Sequence, residues 1–162
     1  MKGRAIRILV SENYNEIPEK LLRQTVILRW GRQSRKRLAK ETGRMRRDIF
    51  GFTSFYVFAP AGRKVVGFAY FCRDESDAAQ WYYGDLVVHK RCRRKGVATA
   101  ILEGGIRVIK EKGAAKLFTH VDSGNEASVL LHEKLSFVRS ERREQINGFI
   151  VGDRDVIFER AV

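Results

Sequence analysis

One stretch of this 162-residue sequence, positions 86–102, has the composition of a phosphate-binding turn. An apolar run ends at Leu86, Val87 and Val88, a basic segment follows, and an apolar helical pattern begins directly after Gly96. The first N–H groups of a helix lack intrahelical acceptors, and the helix dipole adds partial positive charge there. A strand, a basic turn and a helix N-terminus in this order therefore favour the binding of a phosphate group.

The elements around this turn are predicted from hydrophobic spacing and turn residues. Strands are predicted at 5–10, 53–59, 65–72, 80–88, 116–121, 137–145 and 149–160, and helices at 17–30, 34–41, 97–112 and 126–135. The last two strands are joined by Asn147-Gly148, which is a strong hairpin signal. The order β-α-α-β-β-β-α-β-α-β-β predicts one mixed α/β domain over residues 1–162, with a mostly antiparallel central sheet flanked by helices.

Composition restricts the class of protein. Apolar residues make up 44% of the chain and charged residues 31%, which fits a folded globular chain rather than a disordered one. The basic N-terminus lacks the apolar core of a signal peptide, and no apolar run approaches the ~20 residues that span a bilayer. We therefore expect a cytoplasmic protein with no membrane partner. Cys72 and Cys92 are too few for a disulfide scaffold, and neither the cysteines nor the three histidines show metal-ligand spacing, so no metal is predicted.

The net charge of +13 is concentrated in the first 50 residues, which carry +9. Residues 29–47 contain nine lysines or arginines and a single acid, Glu41. Arg32, Lys36 and Lys40 follow the i, i+4 spacing that places side chains on one face of a helix. Such a segment is either a solvated surface helix or a surface that faces an anion, whether nucleic acid, an acidic protein or an acidic small molecule.

Two segments resemble motifs of the GNAT superfamily of acyl-CoA-dependent N-acetyltransferases. Residues 93–98, Arg-Arg-Lys-Gly-Val-Ala, fit that family's Arg/Gln-x-x-Gly-x-Gly/Ala pyrophosphate signature. Residues 125–137 match the spacing of its Asn-x-x-Ala…Leu-Tyr-x-x-x-Gly-Phe segment, with His132 and Ser136 at the tyrosine and glycine positions. The predicted order of elements is also that of the family. The resemblance therefore implies the GNAT fold over nearly the whole chain.

The resemblance implies that the chain binds acetyl-CoA and transfers its acetyl group directly to an amine. The backbone of the fourth strand would then hold the pantetheine arm and orient the thioester carbonyl, while the basic turn would hold the pyrophosphate. The residues so assigned to the cofactor are Leu86, Val87, Val88, Arg93, Arg94, Lys95, Gly96, Val97, Ala98, Asn125 and Ser128. Asn125 also suits a plain helix N-cap, and the two roles are compatible.

The same resemblance directs attention to the side chains that would move protons. The family's frequent glutamate base falls near Gly84, so Asp85 beside it is the first candidate for the base, and Asp122 is the second. His132 could donate a proton to the leaving thiolate if it is itself protonated. Each has a structural alternative: Asp85 as a carboxylate at a strand kink, Asp122 as a loop or capping residue, and His132 as a packed helix residue.

The basic N-terminal third argues against a polycationic acceptor such as a polyamine or an aminoglycoside. We expect the acceptor to be a small-molecule amine or an acidic protein or peptide. The competing hypothesis is a CoA-binding or RNA-binding module with a degenerate transfer site, because Trp30, Phe50 and Phe52 lie near the cations of this third. The sequence leaves open which acceptor is used and whether the chain is a monomer or a homodimer.

Overall fold

The structure is a computed structural model that describes residues 6–12, 17–47, 53–142 and 151–162. Its strands are β1 (Leu9–Ser11), β2 (Ser54–Ala61), β3 (Lys64–Arg73), β4 (Gln80–Val88), β5 (Lys116–Asp122), β6 (Val138–Arg139) and β7 (Asp155–Ala161). Its α-helices are α1 (Glu19–Trp30), α2 (Arg35–Arg47), α3 (Val97–Glu111) and α4 (Glu126–Lys134). A 3₁₀ turn at Lys90–Cys92 precedes α3. The predicted mixed α/β class and order of elements are confirmed.

The strands form one seven-stranded sheet in the order β1-β2-β3-β4-β5-β7-β6. β4 and β5 run parallel, and the other neighbouring strands described are antiparallel. A parallel pair needs a crossover, and α3 supplies it, with the basic turn at its start. The mostly antiparallel sheet is therefore confirmed, and its parallel step lies where the basic turn leaves the sheet.

Helices cover both faces of the sheet, because its central strands carry large apolar residues at successive positions. One core joins the sheet to α1 and α2, and its members include Leu22, Val26, Tyr56, Phe68, Phe118 and Tyr82. The other core contains residues of α3 and strands, among them Phe55, Phe71, Tyr83, Ile101 and Phe158. Alternation along β4 therefore sends Tyr82 into the first core and Tyr83 into the second.

α2 is longer than the sequence predicts. The sequence predicts that it ends near residue 41, before Gly43, but the helix continues to Arg47. Met45 is buried beside Leu38 in the first core, and the Thr42 hydroxyl donates to the carbonyl of Leu38 at 2.7 Å. Burial of a methionine side chain contributes about 1.5–3 kcal/mol, which exceeds the cost of about 1 kcal/mol for glycine inside a helix. The predicted end of this helix is therefore wrong.

The N-terminal elements begin later than predicted. α1 starts at Glu19 rather than at residue 17, because Pro18 occupies the N-cap position with ψ 131°, outside the helical region. β1 starts at Leu9, and it pairs with β2 through Ser11. The sequence also offers Asn13 and Asn15 as caps for this helix, and both lie outside the described residues.

The C-terminal strands are shorter than predicted. β6 ends at Arg139, and β7 begins only at Asp155. Asp155 accepts a hydrogen bond from the N–H of Gly152 at 2.7 Å, so the chain forms a turn where the sequence suggested an extended strand. The Asn147-Gly148 hairpin turn lies outside the described residues, and it stays a prediction.

Two glycines bring α3 close to the sheet. A Cβ on Gly105 would lie 2.0 Å from Cζ of Phe71, and a Cβ on Gly104 would lie 2.1 Å from Cδ1 of Ile8. Phe71 is fully buried and stacks on Phe55 with 5.1 Å between ring centroids. The Phe71 ring therefore cannot move aside without disturbing the second core.

We expect Gly105→Ala to lower the free energy of unfolding by about 2 kcal/mol, because overpacking costs about 1–3 kcal/mol and outweighs the helix propensity of alanine. Urea unfolding measures the change. Glu103→Ala, at an exposed position of the same helix, is the control and should shift stability by less than about 0.5 kcal/mol. Equal stability of the two variants would show that an additional methyl group at position 105 fits between α3 and the sheet.

Candidate active site

The turn before α3 presents backbone N–H groups at the positive end of the helix. Gly96, with φ +79°, occupies the N-cap, and no side chain caps the helix there. Among the described residues, the N–H groups of Val97, Ala98 and Thr99 have no backbone acceptor. Arg94 also has a left-handed backbone, with φ +57°. We call residues 93–98 the phosphate cradle, because three N–H donors converge at one helix end.

The phosphate cradle is fixed to the end of β4 and is surrounded by cations. Nε of Arg93 donates to the carbonyl of Val88 at 3.2 Å. The N–H of His89 donates to the carbonyl of Val66 at 2.8 Å and ties the start of the turn to β3. The remaining cations of the turn are exposed, namely Lys90, Arg91, Arg94 and Lys95. The structure thus brings together the residues predicted for the pyrophosphate.

β4 and β5 separate soon after they begin. They pair in parallel only from Gln80 to Tyr82 on β4 and from Lys116 to Phe118 on β5, as far as the described chain shows. β4 nevertheless continues to Val88 and β5 to Asp122. The later residues of the two strands are therefore not paired with each other. We call the gap between them the opening, and the phosphate cradle follows the end of β4.

An irregularity in β4 accompanies this separation. Against β3, Gly84 is the partner of Tyr70, whereas Val87 is the partner of Phe68, so β4 contains one extra residue. Asp85 within this bulge has a left-handed φ of +57°. A bulge bends its strand and redirects the side chains that follow. It leaves the predicted pantetheine-binding residues, Leu86, Val87 and Val88, half-buried at the end of β4.

Asp85 forms an ion pair with Arg29, near the end of α1. Nη1 of Arg29 donates to Oδ2 of Asp85, and the Arg29 guanidinium lies 4.5 Å from the centroid of the Trp30 ring. One of the two carboxylate oxygens of Asp85 is thus engaged by a cation. The pair ties α1 to the bulge, as expected for a carboxylate at a strand kink. A role as the base stays a prediction for Asp85.

His132 is enclosed in the second core and is only 2% exposed. Its Nδ1 lies 2.6 Å from the carbonyl oxygen of Ser128, so Nδ1 carries the proton, since a carbonyl only accepts. Nε2 of the neutral ring then accepts a hydrogen bond from the Tyr83 hydroxyl, and the ring stacks on Phe158. Burial lowers the pKa of His132, against the smaller opposing effect of the Ser128 hydrogen bond. This geometry favours the packing role over donation to a thiolate.

Because the pKa of His132 is lowered, stability should depend on pH. Below the ordinary histidine pKa of about 6.5, His132 binds a proton in the unfolded chain but stays neutral in the folded protein. This contribution to the free energy of unfolding is complete above about pH 6.5 and declines by up to about 1.4 kcal/mol per pH unit towards the folded-state pKa.

The double variant Tyr83→Phe/His132→Phe removes the buried polar pair. Its free energy of unfolding should therefore lack the pH dependence that His132 causes. Thermal unfolding of both proteins between about pH 7.5 and about pH 5 measures the difference. Curves that stay parallel over this range would contradict the assignment of a neutral His132.

A different histidine, His120 on β5, lies beside the opening and was not singled out from the sequence. Its Nδ1 lies 2.9 Å from the hydroxyl of Tyr82, and the two rings stack with 5.7 Å between centroids. His120 pairs with Ile157 of the first core, and strand alternation places it on the same face as Phe118. The pair therefore lies on the α1 and α2 face, opposite α3.

The Tyr82–His120 pair has the chemistry of an oriented base. Burial raises the pKa of Tyr82, and the nearby Asp85 charge adds to the effect, so the hydroxyl stays neutral. If Nδ1 of His120 carries its proton and donates to Tyr82, Nε2 is the ring nitrogen that accepts a proton. In the sequence, the only indication of a base at this position is that His120 interrupts an apolar strand. That indication becomes specific only in the structure, where Tyr82 lies beside the ring.

Asn125 and Asp122 have structural roles near the start of α4. Oδ1 of Asn125 accepts the N–H of Ser128 at 3.2 Å, which is the N-cap arrangement. Oδ1 of Asp122 accepts the N–H of Gly124 at 2.7 Å and lies 3.4 Å from Nη2 of Arg154. These contacts match the loop and capping alternatives. Cofactor contacts of Asn125 and Ser128 stay predictions.

Within the described ranges, no group of three or more His, Cys, Asp or Glu side chains is placed to hold a metal ion. None of the helices described is both long enough and apolar enough to cross a bilayer. Cys72 is buried and Cys92 is half-buried, and neither forms a disulfide within the described chain.

The sequence profile of the acetyltransferase (GNAT) family matches residues 20–137, most of the chain. The chain belongs to this family.

A relative with a curated name is also an acetyltransferase. N-alpha-acetyltransferase 30 from Schizosaccharomyces pombe (strain 972 / ATCC 24843) is 32% identical over 69 residues, or 41% of this chain and 46% of that protein. The match thus spans less than half of that relative's length.

Solved structures with a similar fold include three acetyltransferases. An acetyltransferase from Streptococcus agalactiae 2603 has a TM-score of 0.73 at 13% identity over 100% of both chains. Aminoglycoside 6'-acetyltransferase type Ii has a TM-score of 0.69 at 18% identity over 94% of this chain and 96% of its own. PaiA N-acetyltransferase from Thermoplasma acidophilum, in complex with coenzyme A, has a TM-score of 0.64 at 13% identity over 97% of this chain and 100% of its own. At these identities the likeness concerns the fold.

Proposed function

We propose that the chain transfers an acetyl group from acetyl-CoA directly to a primary amine. The observation that carries this proposal is the phosphate cradle next to the separated ends of β4 and β5. The cradle suits a pyrophosphate, because N–H donors and cations meet at one helix end, and the opening offers a path for an extended thioester arm. Coenzyme A in the PaiA structure supports the same choice of acyl donor.

Different groups of the chain would bind different parts of acetyl-CoA along this path. Arg93, Arg94 and Lys95 neutralise phosphate charge, while the N–H groups at the start of α3 hold the pyrophosphate. Backbone groups between Leu86 and Val88 orient the arm and the thioester carbonyl. An N–H of β4 aimed at the carbonyl oxygen would stabilise the negative charge that develops there during transfer.

Acetyl transfer forms a C–N bond to the amine and breaks the C–S bond of the thioester, and the sulfur leaves as a thiolate. The amine must attack as a neutral nucleophile and then lose a proton. We assign that proton to Nε2 of His120, with Tyr82 holding the ring, either directly or through one water. Asp85 is the second candidate, in competition with its partner Arg29. The buried His132 is assigned a positioning role between α4 and β4.

We propose an acceptor of acidic character, either a small-molecule amine or an amine on an acidic protein or peptide. The support is the positive charge of α2 and of the segment before it, which would repel a polycation. The name of N-alpha-acetyltransferase 30 favours an α-amino group among these choices.

A thiol-release assay with acetyl-CoA tests the proposal against a panel of amines. The panel contains peptides with acidic or basic N-terminal sequences, lysine peptides, free amino acids, spermidine and an aminoglycoside. We expect amine-dependent release that is fastest with acidic peptides. Preference for spermidine would overturn the acidic acceptor, and binding of CoA without release by any amine would favour the binding module with a degenerate site.

A further inference from the structure

The exposed side of α2 and of the loop before it forms a strongly positive surface. We call it the α2 basic surface, and its residues are Arg32, Arg35, Lys36, Arg37 and Lys40, all of them exposed. The opposite side of the helix contributes Leu38 and Met45 to the first core. The orientation of α2 is therefore fixed by its apolar residues, and the cations point away from the protein.

These cations are not explained by contacts within the protein. In the part of the chain that the structure describes, none of the five lies within ion-pair distance of a carboxylate. Three of them occupy the first turn of α2, which contains no acid, although the helix dipole makes that position unfavourable for a cation. A helix that served only as solvated surface would be more stable with acids there.

The shape and composition of the surface indicate which anion it suits. Ser34, Lys36, Arg37, Lys40 and Glu41 line a shallow concavity of about 350 Å³. The exposed face of α2 lacks large apolar side chains, whereas the centre of a protein interface is depleted in charge and rich in apolar and aromatic groups. A phosphate backbone, in contrast, is bound mainly by charge and counterion release.

An aromatic residue adjoins the surface. Trp30, two positions before Arg32, is 38% exposed, and the Arg29 guanidinium lies against its ring. Proteins that bind single-stranded nucleic acid without sequence preference combine cations with exposed aromatic rings, because every base can stack on such a ring. We propose that the α2 basic surface binds single-stranded RNA, the main single-stranded polyanion of cells. This inference does not depend on acetyl transfer, although both together would concentrate the amines of RNA-associated proteins at the active site.

Fluorescence anisotropy with a dye-labelled oligouridine tests the inference on the full chain, with and without saturating CoA, so that the phosphate cradle can be blocked separately. The variant Arg35→Glu/Lys36→Glu/Arg37→Glu reverses three cations of the surface. The control Lys20→Glu/Lys64→Glu/Arg107→Glu makes the same change in net charge at exposed positions elsewhere.

We expect the α2 variant to bind at least about tenfold more weakly than the control, and the salt dependence of log K to lose a slope of about 2, from three phosphate contacts at about 0.7 each. Equal weakening in both variants would overturn the inference. So would RNA binding that CoA abolishes, or binding to polyglutamate as tight as to RNA. A failure of acetyl transfer would leave these results unchanged, so the two proposals fail separately.

Discussion

Gly96→Val is expected to weaken CoA binding by about 100-fold, which corresponds to about 2.7 kcal/mol. A β-branched residue disfavours the left-handed backbone that Gly96 adopts at φ +79°, so the turn would relax to another conformation. Binding would then have to restore the conformation that aligns the N–H groups of Val97 and Ala98. The added Cβ would also lie 3.6 Å from Cδ1 of Ile6. Isothermal titration calorimetry with CoA measures the loss.

The other end of the same helix supplies a matched control. Gly113 has the same φ of +79°, and a Cβ there would meet nothing within 4 Å. Gly113→Val should therefore cost a similar amount of stability while leaving CoA affinity within about twofold of wild type. If the two variants lost affinity equally, the effect would be one of general destabilisation, and the phosphate cradle would have no special role.

His120→Phe is expected to lower kcat by about 100-fold or more while leaving the KM for acetyl-CoA nearly unchanged. Phenylalanine keeps a ring that can stack on Tyr82, so the fold should survive, but it cannot accept a proton from the amine. Steady-state thiol release with the best amine of the panel measures both constants. His120→Ala with added imidazole gives a second readout, because partial rescue is expected of a missing base and not of missing packing.

Two further variants separate the base from its surroundings. Tyr82→Phe keeps the packing and removes the hydroxyl that holds Nδ1, so it should cost about tenfold in kcat, less than loss of the base. Asp85→Asn keeps the shape of the bulge but removes the charge that pairs with Arg29. A larger loss of kcat in Asp85→Asn than in His120→Phe would indicate that Asp85 is the base and would contradict the assignment of His120.

The order of the elements and the strand–turn–helix geometry of residues 86–102 could be predicted because their determinants are local. The strand, turn and helix of the cradle are contiguous between Leu86 and Leu102, so composition and spacing alone indicate them. The cap formed by Asn125 with Ser128 is equally short in range. The order of the elements can be read from the apolar periodicity, because residues that face either of the two cores must recur at helix or strand spacing.

The proposed acid–base residues could not be predicted, because they depend on contacts between distant parts of the chain. His120 meets Tyr82 only through the register of β4 and β5, 38 positions apart, and Arg29 meets Asp85 across 56 positions. The burial of His132 depends on how α4 packs against β4. None of these contacts leaves a periodic signal, whereas the core residues do.

Calorimetric titration with CoA, compared with pantetheine, tests the central claim most directly. Pantetheine retains the thiol arm but lacks the pyrophosphate and the ribose phosphate. We expect one CoA to bind per chain with an affinity that is tighter than that of pantetheine by at least about 100-fold, since the charge-assisted contacts of the cradle act only on CoA. Absence of CoA binding at millimolar concentration, or equal affinity for both ligands, would contradict a phosphate cradle at residues 93–98.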